Sequence, residues 1–160
     1  MKNEVLDLYD DNFNKLNKTI IRRVEKIPIG TNITQSYILI KNEGKYLLEQ
    51  ATERNNYKWA IPGGHVLSGE NPQDALKREL HEELGLKNIE FEKMDTIKFP
   101  YNSYIFNVFY SETYIDIDSL ILEPNEVTKV SWYSKDEILE LINSDKIPRG
   151  YAYILKKYII

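Results

Sequence analysis

The sequence contains no cysteine, which excludes disulfide bonds, thiolate metal sites and any cysteine that acts as a nucleophile or an acid. It has no uninterrupted apolar run near the roughly 20 residues that a membrane-spanning helix needs. The first residues, Met1 to Glu4, have no apolar stretch behind their lysine that could act as a secretion signal. We therefore expect a cytoplasmic protein with no membrane segment.

An excess of basic residues is also missing. The formal net charge is −4, whereas proteins that bind nucleic acid usually carry a basic patch, so we expect no nucleic-acid partner. With 160 residues, 42% hydrophobic and 29% charged, the composition is that of an ordinary globular protein. The length fits one hydrophobic core. We predict a single domain over residues 1–160, in which residues 1–19 form an N-terminal extension.

Segments rich in aliphatic and aromatic residues predict the strands of a sheet. Glu43 and Gly44 give a turn signal between two of these segments, which indicates a hairpin. A capping box at Ser134 predicts the start of a helix, and a further short helix is expected over residues 151–160. The predicted strands are residues 20–24, 36–40, 46–49, 89–99, 104–114 and 127–133.

A central helix is predicted over residues 72–84. Asn71 is a suitable N-cap, Pro72 suits the first helical position, and Gly85 supplies a C-terminal stop. Apolar residues at four-residue steps form a stripe that is expected to face a sheet: Leu76, Leu80 and Leu84. Strands mixed with separated helices predict an α/β or α+β sandwich, with helices on both sides of a mixed sheet.

The central helix carries three glutamates on one face. At about 100° per residue, Glu79, Glu82 and Glu83 project within an arc of roughly 100°. Like charges this close destabilise an isolated helix, and Arg78 offsets only part of the repulsion. A hard cation such as Mg²⁺ or Mn²⁺ would compensate, because it prefers oxygen ligands. A solvated helix face is the alternative interpretation of the same four residues.

The residues around the glutamates belong to a longer pattern. Nine constrained positions lie in a window of 23 residues: Gly64, Glu70, Arg78, Glu79, Leu80, Glu82, Glu83, Gly85 and Leu86. Together they resemble the complete box of the Nudix hydrolase superfamily, the MutT-like proteins, and every defined position matches. The flanking residues are similar as well, so that the resemblance spans roughly residues 20–145.

The resemblance implies a fold, a reaction and a set of roles. The implied fold is a mixed sheet sandwiched between helices, and the implied reaction is metal-dependent hydrolysis of a nucleoside diphosphate linked to another group. Mg²⁺ or Mn²⁺ would be bound by Gly64 through its carbonyl, Glu79, Glu82 and Glu83. Glu79 is implied as a ligand or as the base that orients the attacking water. Arg78 and Glu70 would support the loop and the helix without taking part in the chemistry.

Several members of the superfamily place a further acidic residue on a later loop. Glu126 is our candidate for this catalytic role and Glu123 the second, with a solvated surface carboxylate as the alternative for either. The sequence departs from the pattern where many members have a basic residue, just after the strand segment Tyr46, Leu47 and Leu48. It has Glu49, Gln50 and Ala51 there. Cations that could replace this phosphate contact are Arg22, Arg23, Arg54 and Lys58.

Three tyrosines and two histidines lie in or near these segments. Tyr101, Tyr104 and Tyr110 lie in segments that usually form the base pocket of such enzymes, but tyrosines in strands more often pack in a core or at its rim, which we favour here. His65 and His81 are not included in the predicted site, because neither has a second histidine at ligand spacing.

Two other functions are compatible with parts of the sequence. A noncatalytic nucleotide-binding module is one, although the intact box argues against it. An isopentenyl diphosphate isomerase is the other, suggested by the first residues, but that chemistry relies on a cysteine that this chain lacks. The sequence does not choose between nucleoside triphosphates, sugar nucleotides, ADP-ribose and dinucleoside polyphosphates as the small-molecule substrate. It leaves the oligomeric state open, with a homodimer as one option.

Overall fold

Nine strands and three α-helices make up residues 3–160, the part of the chain that the computed structural model describes. The strands are β1 (Val5–Tyr9), β2 (Lys15–Ile21), β3 (Ile33–Asn42), β4 (Lys45–Ala51), β5 (Trp59–Ala60), β6 (Gly63–His65), β7 (Glu92–Lys98), β8 (Tyr104–Glu112) and β9 (Val127–Ser134). The helices are α1 (Pro72–Leu84), α2 (Lys135–Asn143) and α3 (Arg149–Tyr158). The predictions of one domain and of no secretion signal also cover residues 1 and 2, which lie outside the described part.

Strand β3 organises a mixed seven-stranded sheet. It runs parallel to β8 from Ile33 to Lys41 and antiparallel to β4 at its C-terminal end. Near its start it pairs with β6, where Ser36 lies opposite Gly64. Strand β8 pairs with β7, and β4 pairs with both β5 and β9. The predicted hairpin of β3 and β4 is therefore confirmed, and the glycine segment is held directly against the central strand.

The two faces of this sheet are covered by different helices. Ile38 and Ile40 of β3 pack in a core with the leucine stripe of α1, which is completely buried: Leu76, Leu80 and Leu84. Tyr37 and Leu39 alternate with them and pack in a second core with residues of α2 and α3. The predicted sandwich, with helices on both sides of a mixed sheet, is confirmed.

Local capping signals position α1 as predicted. The side chain of Asn71 accepts a hydrogen bond from the backbone N–H of Asp74, 2.8 Å away. Gly85 ends the helix in the left-handed region with φ 65°. The hydroxyl of Ser36 donates to the carbonyl of Pro72 at 2.8 Å, so that the first turn of α1 is tied to β3. Helix α1 is thus fixed at both ends and against the sheet.

The N-terminal residues form a hairpin of β1 and β2 beside the large sheet. Leu6, Leu8 and Ile20 pack with Ile33 of β3 in a third apolar cluster. Asp7 fastens the hairpin to the loop before α1, because its carboxylate accepts hydrogen bonds from the Ser68 hydroxyl at 2.8 Å and from the Gly69 N–H at 3.1 Å.

Several predicted boundaries were wrong. The strand expected at residues 20–24 is Lys15–Ile21, because the chain turns at Arg23, whose φ is 67°. The strand expected at 89–99 begins at Glu92, and the one expected at 104–114 ends at Glu112. The last helix begins at Arg149 instead of residue 151. In the described part of the chain, no helix has the length and apolarity needed to span a membrane.

Candidate metal and phosphate site

A cleft of about 820 Å³ lies where α1, β3, β4 and the N-terminal hairpin meet. The predicted box residues line it: Gly64, Arg78, Glu79, Glu82 and Glu83. The structure also brings Glu123 and Glu126 to this cleft, together with Arg22, Arg23 and Arg54. Most of the residues selected from the sequence therefore share one cavity. Glu70 lies just behind it and Lys58 lines a different cleft.

Arg78 holds the loop and the helix together. Its Nε and Nη2 donate to the two carboxylate oxygens of Glu70 at 2.8 and 3.0 Å, and Nη2 also donates to the carbonyl of His65 at 3.0 Å. Its Nη1 donates to Glu79 at 3.0 Å and to Glu82 at 3.2 Å. A guanidinium suits this position because its planar fork offers five donors. This arrangement is what a supporting role for Arg78 and Glu70 requires.

Three carboxylates crowd together at the inner end of the cleft. Glu49 and Glu79 are buried, with 8% and 9% of their surface exposed, and Glu83 lies within hydrogen-bonding range of both. Burial raises the pKa of Glu49 to about 8 and that of Glu79 to about 7, and neighbouring carboxylates contribute to both increases. Burial, followed by the charges of Glu49 and Glu79, raises the pKa of Glu83 further. The cluster is therefore strained when its members are ionised.

Two details of this acidic cluster indicate space for a positively charged partner. Oε2 of Glu49 is buried and has no hydrogen-bond partner in the described part of the chain. At Gly64, a side-chain Cβ would lie 2.5 Å from Cδ of Glu79, so only glycine lets the loop backbone approach this carboxylate. Buried carboxylate oxygens beside an accessible backbone are a donor set that hard cations prefer.

Glu82 does not join the cluster in this arrangement. Its side chain is 58% exposed and its carboxylate pairs with Arg78. Within residues 3–160, no group of three or more acidic, histidine or cysteine side chains is already arranged to coordinate a metal ion. The predicted ligands are thus placed around one cleft, Glu79 and Glu83 inside and Glu82 at the surface, while the ligand role of each stays a prediction.

Glu123 and Glu126 occupy the loop before β9. The carboxylate of Glu126 lies 3.6 Å from the guanidinium of Arg54, and both side chains are nearly half exposed. Oε1 of Glu123 accepts bonds from the backbone and side-chain amides of Asn125, whereas its own backbone N–H donates to the carbonyl of Glu83 at 2.9 Å. Glu126 therefore keeps a carboxylate near the cleft, and Glu123 mainly shapes the loop.

Glu49 is a site residue that sequence reasoning missed. It was noted only as the residue found where a basic one was expected. Strand alternation carries the missing signal: Leu47 faces the α1 core, so Glu49, two residues later, faces the same side of the sheet as Glu79 and Glu83. A buried strand position with an acidic residue opposite an acidic helix face could have identified it.

A second cleft of about 620 Å³ adjoins the first, and Gln35, Tyr37 and Tyr151 line both. Tyr101 and Tyr104 line the second cleft, and the guanidinium of Arg149 lies 4.3 Å from the ring centre of Tyr101.

Tyr110, His65 and His81 do not line this second cleft. Tyr110 packs against the core on the α2 and α3 side, as favoured from the sequence. His65 lines the first cleft, where burial and the charges of Arg22, Arg23 and Arg78 lower its pKa to about 3. His81 is exposed on α1.

Arg78→Lys is expected to lower kcat by about 10- to 100-fold and to lower Tm by a few degrees, because an ammonium group cannot replace the bidentate contact with Glu70 while also reaching Glu79. Steady-state kinetics and thermal melts would measure both effects. Lys77→Gln, on the same helix and exposed, is the control and should leave both unchanged. A fully active Arg78→Lys enzyme would contradict the supporting role.

In metal-free protein, Tm is expected to fall as pH rises from about 5 to about 8. The folded state keeps protons on Glu49 and Glu79, with pKa values of about 8 and 7, whereas the unfolded chain releases them near 4.5. His65 acts in the opposite direction, because its folded pKa of about 3 means that only the unfolded chain is protonated there. The two glutamates outweigh this one histidine, so the folded state binds more protons within this window and its stability decreases as pH increases. The decrease should be on the order of 5 °C. Melts with a chelator at pH 5 and 8 would test this, and a Tm that rises over the window would contradict it.

Comparison with known proteins relates this site to a family. The family model for the NUDIX domain matches residues 32–157. Over 75 residues the chain is 37% identical to the 8-oxo-dGTP diphosphatase of Haemophilus influenzae. This match covers 45% of the present chain and 55% of that protein. Over 101 residues it is 26% identical to the NAD-capped RNA hydrolase NudC of Escherichia coli, covering 63% of this chain and 38% of that protein. The matches thus span about half or less of these relatives' lengths.

One solved structure is similar over nearly the whole chain. The crystal structure of DR0079 from Deinococcus radiodurans has a TM-score of 0.84, with 98% of this chain and 100% of that chain covered. The sequence identity is 18%, so this similarity shows a shared fold. Its coverage includes the N-terminal hairpin as well as the large sheet.

Proposed function

Because this chain belongs to the Nudix family, we propose that it is a metal-dependent hydrolase that cleaves a phosphate anhydride in a nucleoside diphosphate linked to another group. The observation that carries this proposal is the cluster of the buried Glu49 and Glu79 with the partly buried Glu83, next to the backbone of Gly64. A cluster of like charges destabilises a fold unless a cation compensates it, and the structure places this one in an open cleft.

The residues at the cleft fit a divalent metal ion. Glu49 offers a buried oxygen with no hydrogen-bond partner in the described part of the chain, and Gly64 lets the loop backbone lie close to the carboxylate of Glu79. We propose that Glu79, Glu83 and the carbonyl of Gly64 hold Mg²⁺ or Mn²⁺, and that Glu82 completes the site from its exposed side. We also propose Glu49 as an additional acidic partner of the cation, which the predicted set did not include; its buried position at the cleft supports this role.

The chemistry divides between the cation and the side chains. A bound Mg²⁺ or Mn²⁺ would neutralise phosphate oxygens and make a coordinated water a better nucleophile. Arg78 fixes Oε1 of Glu79, which suits this carboxylate to orient the attacking water and accept its proton. Glu126 is the second candidate to accept that proton. It lies on a loop, and its contact with Arg54 is exposed to solvent.

The second cleft is proposed to hold the nucleoside or the group linked to it. It joins the acidic cleft through Tyr37 and Tyr151, so a substrate whose phosphates lie at the glutamates could extend into it. The exposed ring of Tyr101 and the rings of Phe99 and Tyr104 provide aromatic surface, which suits a planar base.

The test is a release assay for phosphate and nucleotide, run on a panel of nucleoside triphosphates, sugar nucleotides, ADP-ribose and dinucleoside polyphosphates with Mg²⁺ or Mn²⁺. We expect turnover of one class, abolished by a chelator and by Glu82→Gln, with the variant retaining the circular dichroism spectrum of the wild type. Isopentenyl diphosphate belongs in the panel, since its isomerisation would identify the alternative enzyme. Nucleotide binding without turnover of any compound would overturn the hydrolase in favour of a binding module.

A further inference from the structure

We propose that Arg22 and Arg23, at the end of the N-terminal hairpin, bind substrate phosphate oxygens in a cleft to which β4 contributes the carboxylate of Glu49 instead of a cation. The inference rests on the proposed hydrolase function and names part of its substrate site. Three observations carry it: the position of both arginines at the cleft, the way the hairpin is fixed there, and the acidic residue that stands at the usual basic position.

Both arginines line the same cleft as the acidic cluster. Gly64 and His65 of the glycine loop line this cleft as well. The guanidinium of Arg22 has its Nη1 2.6 Å from Glu4, a contact that engages one of its five N–H donors. A phosphate between the arginines and the carboxylate cluster would thus have cations on one side and the metal ligands on the other.

The hairpin is held in a fixed relation to the box loop. Asp7 accepts hydrogen bonds from Ser68 and Gly69, and the Ser68 N–H donates to the carbonyl of Val5 at 2.7 Å. The backbone N–H of Arg22 donates to the carbonyl of Glu4 at 2.9 Å. These bonds place the arginines on a scaffold instead of a free tail, which reduces the entropy cost of a phosphate contact.

Phosphate oxygens in this cleft would find no cation on β4, because Glu49 is acidic. Where a basic residue would meet the phosphates, this chain has a buried carboxylate that belongs to the acidic cluster. Arg54 also lines the cleft, on the loop that follows β4, with its guanidinium 3.6 Å from the carboxylate of Glu126. The hairpin that carries Arg22 and Arg23 precedes residue 32, where the family match begins, so both arginines lie outside the matched residues.

The experiment compares Arg22→Gln, Arg23→Gln and the double variant with two controls. Lys18→Gln removes a charge from an exposed position of the same hairpin. Glu4→Gln breaks the same ion pair as Arg22→Gln but keeps the guanidinium. For the substrate found in the release assay, we expect KM to rise at least about 10-fold for each single variant, since a charged hydrogen bond is worth roughly 1.5–3 kcal/mol. We expect kcat to change less than about threefold.

Binding of inorganic pyrophosphate in the presence of Mg²⁺, measured by calorimetry, gives a readout that does not need turnover. Its Kd should rise in parallel with KM in the arginine variants and not in Lys18→Gln or Glu4→Gln. If the wild type hydrolyses its substrate but the double variant keeps the KM of Lys18→Gln, the arginine contact is overturned and the hydrolase stands. An equal rise of KM in Glu4→Gln would reduce the arginines to structural partners. A wild type without turnover overturns the hydrolase, and the pyrophosphate Kd still decides the arginine contact.

Discussion

Glu83→Gln is expected to lower kcat by about 100- to 1,000-fold and, at pH 8 in a chelator, to raise Tm by a few degrees. Activity falls because an amide is a poor substitute for a carboxylate ligand of a hard cation. Stability rises because burial and the charges of Glu49 and Glu79 oppose ionisation of Glu83, so folding at pH 8 requires a proton uptake at this residue that a glutamine does not need. The same change therefore acts in opposite directions on catalysis and on stability.

Glu82→Gln is the comparison that separates the two effects. Glu82 is 58% exposed and pairs with Arg78, so its neutralisation relieves only a small part of the repulsion on Glu79 and also removes an ion pair. We expect it to lose activity without a gain in Tm. Kinetics with saturating Mg²⁺ and melts with and without a chelator would measure both variants. If Glu83→Gln destabilised the metal-free protein, or kept wild-type kcat, the cluster would not be a metal site.

Gly64→Ala is expected to reduce kcat by about 100-fold or more, with a smaller effect on folding. The new Cβ would lie 2.5 Å from Cδ of Glu79 and 2.7 Å from Oε1, distances at which the carboxylate or the loop has to move. Either movement separates Glu79 from the loop carbonyl that is proposed to share the metal. The effect is local, because β6 still pairs with β3 through neighbouring residues.

Gly69→Ala is the matched control, since this glycine lies in the same loop and has nothing within 4 Å of the added atom. Its φ of 85° makes alanine strained, so it should lower stability by roughly 1 kcal/mol and leave kcat within about threefold. Comparing kcat of the two variants, at a temperature where both are folded, isolates the steric contact with Glu79. If Gly64→Ala and Gly69→Ala had equal kcat values, Gly64 would matter for its backbone conformation and not for the space that it leaves beside Glu79.

The box helix was predictable because its determinants are local. Asn71, Pro72 and Gly85 lie within a few residues of the helix they cap, and the leucine stripe follows its period. The strand ends were less predictable, since they depend on pairing partners far along the chain. Arg23 illustrates this limit, because a β-like run continues through it in the sequence while the backbone turns there.

The residues of the candidate site also differ in how far the sequence predicts them. The family pattern brought together Glu79, Glu82 and Glu83 and the supporting Arg78, all on one helix. Glu49 reaches them from β4 and depends on which face of the sheet each residue of that strand occupies. The sequence also named Arg22 and Arg23 as cations that could meet a phosphate, but only the docking of the hairpin places them at the cleft.

The parallel pairing of β3 with β8 has a consequence for how the protein folds. Ile33 is paired with Tyr104, so the chain between them, which includes α1, has to close as one long loop before the central strands meet. Closing a long loop costs entropy that is repaid only after the contact forms, and such non-local pairings slow folding. The capped box helix can form early, from its own residues. The carboxylates of α1 approach Glu49 only as the sheet assembles. The electrostatic repulsion among Glu49, Glu79 and Glu83 therefore arises late in folding.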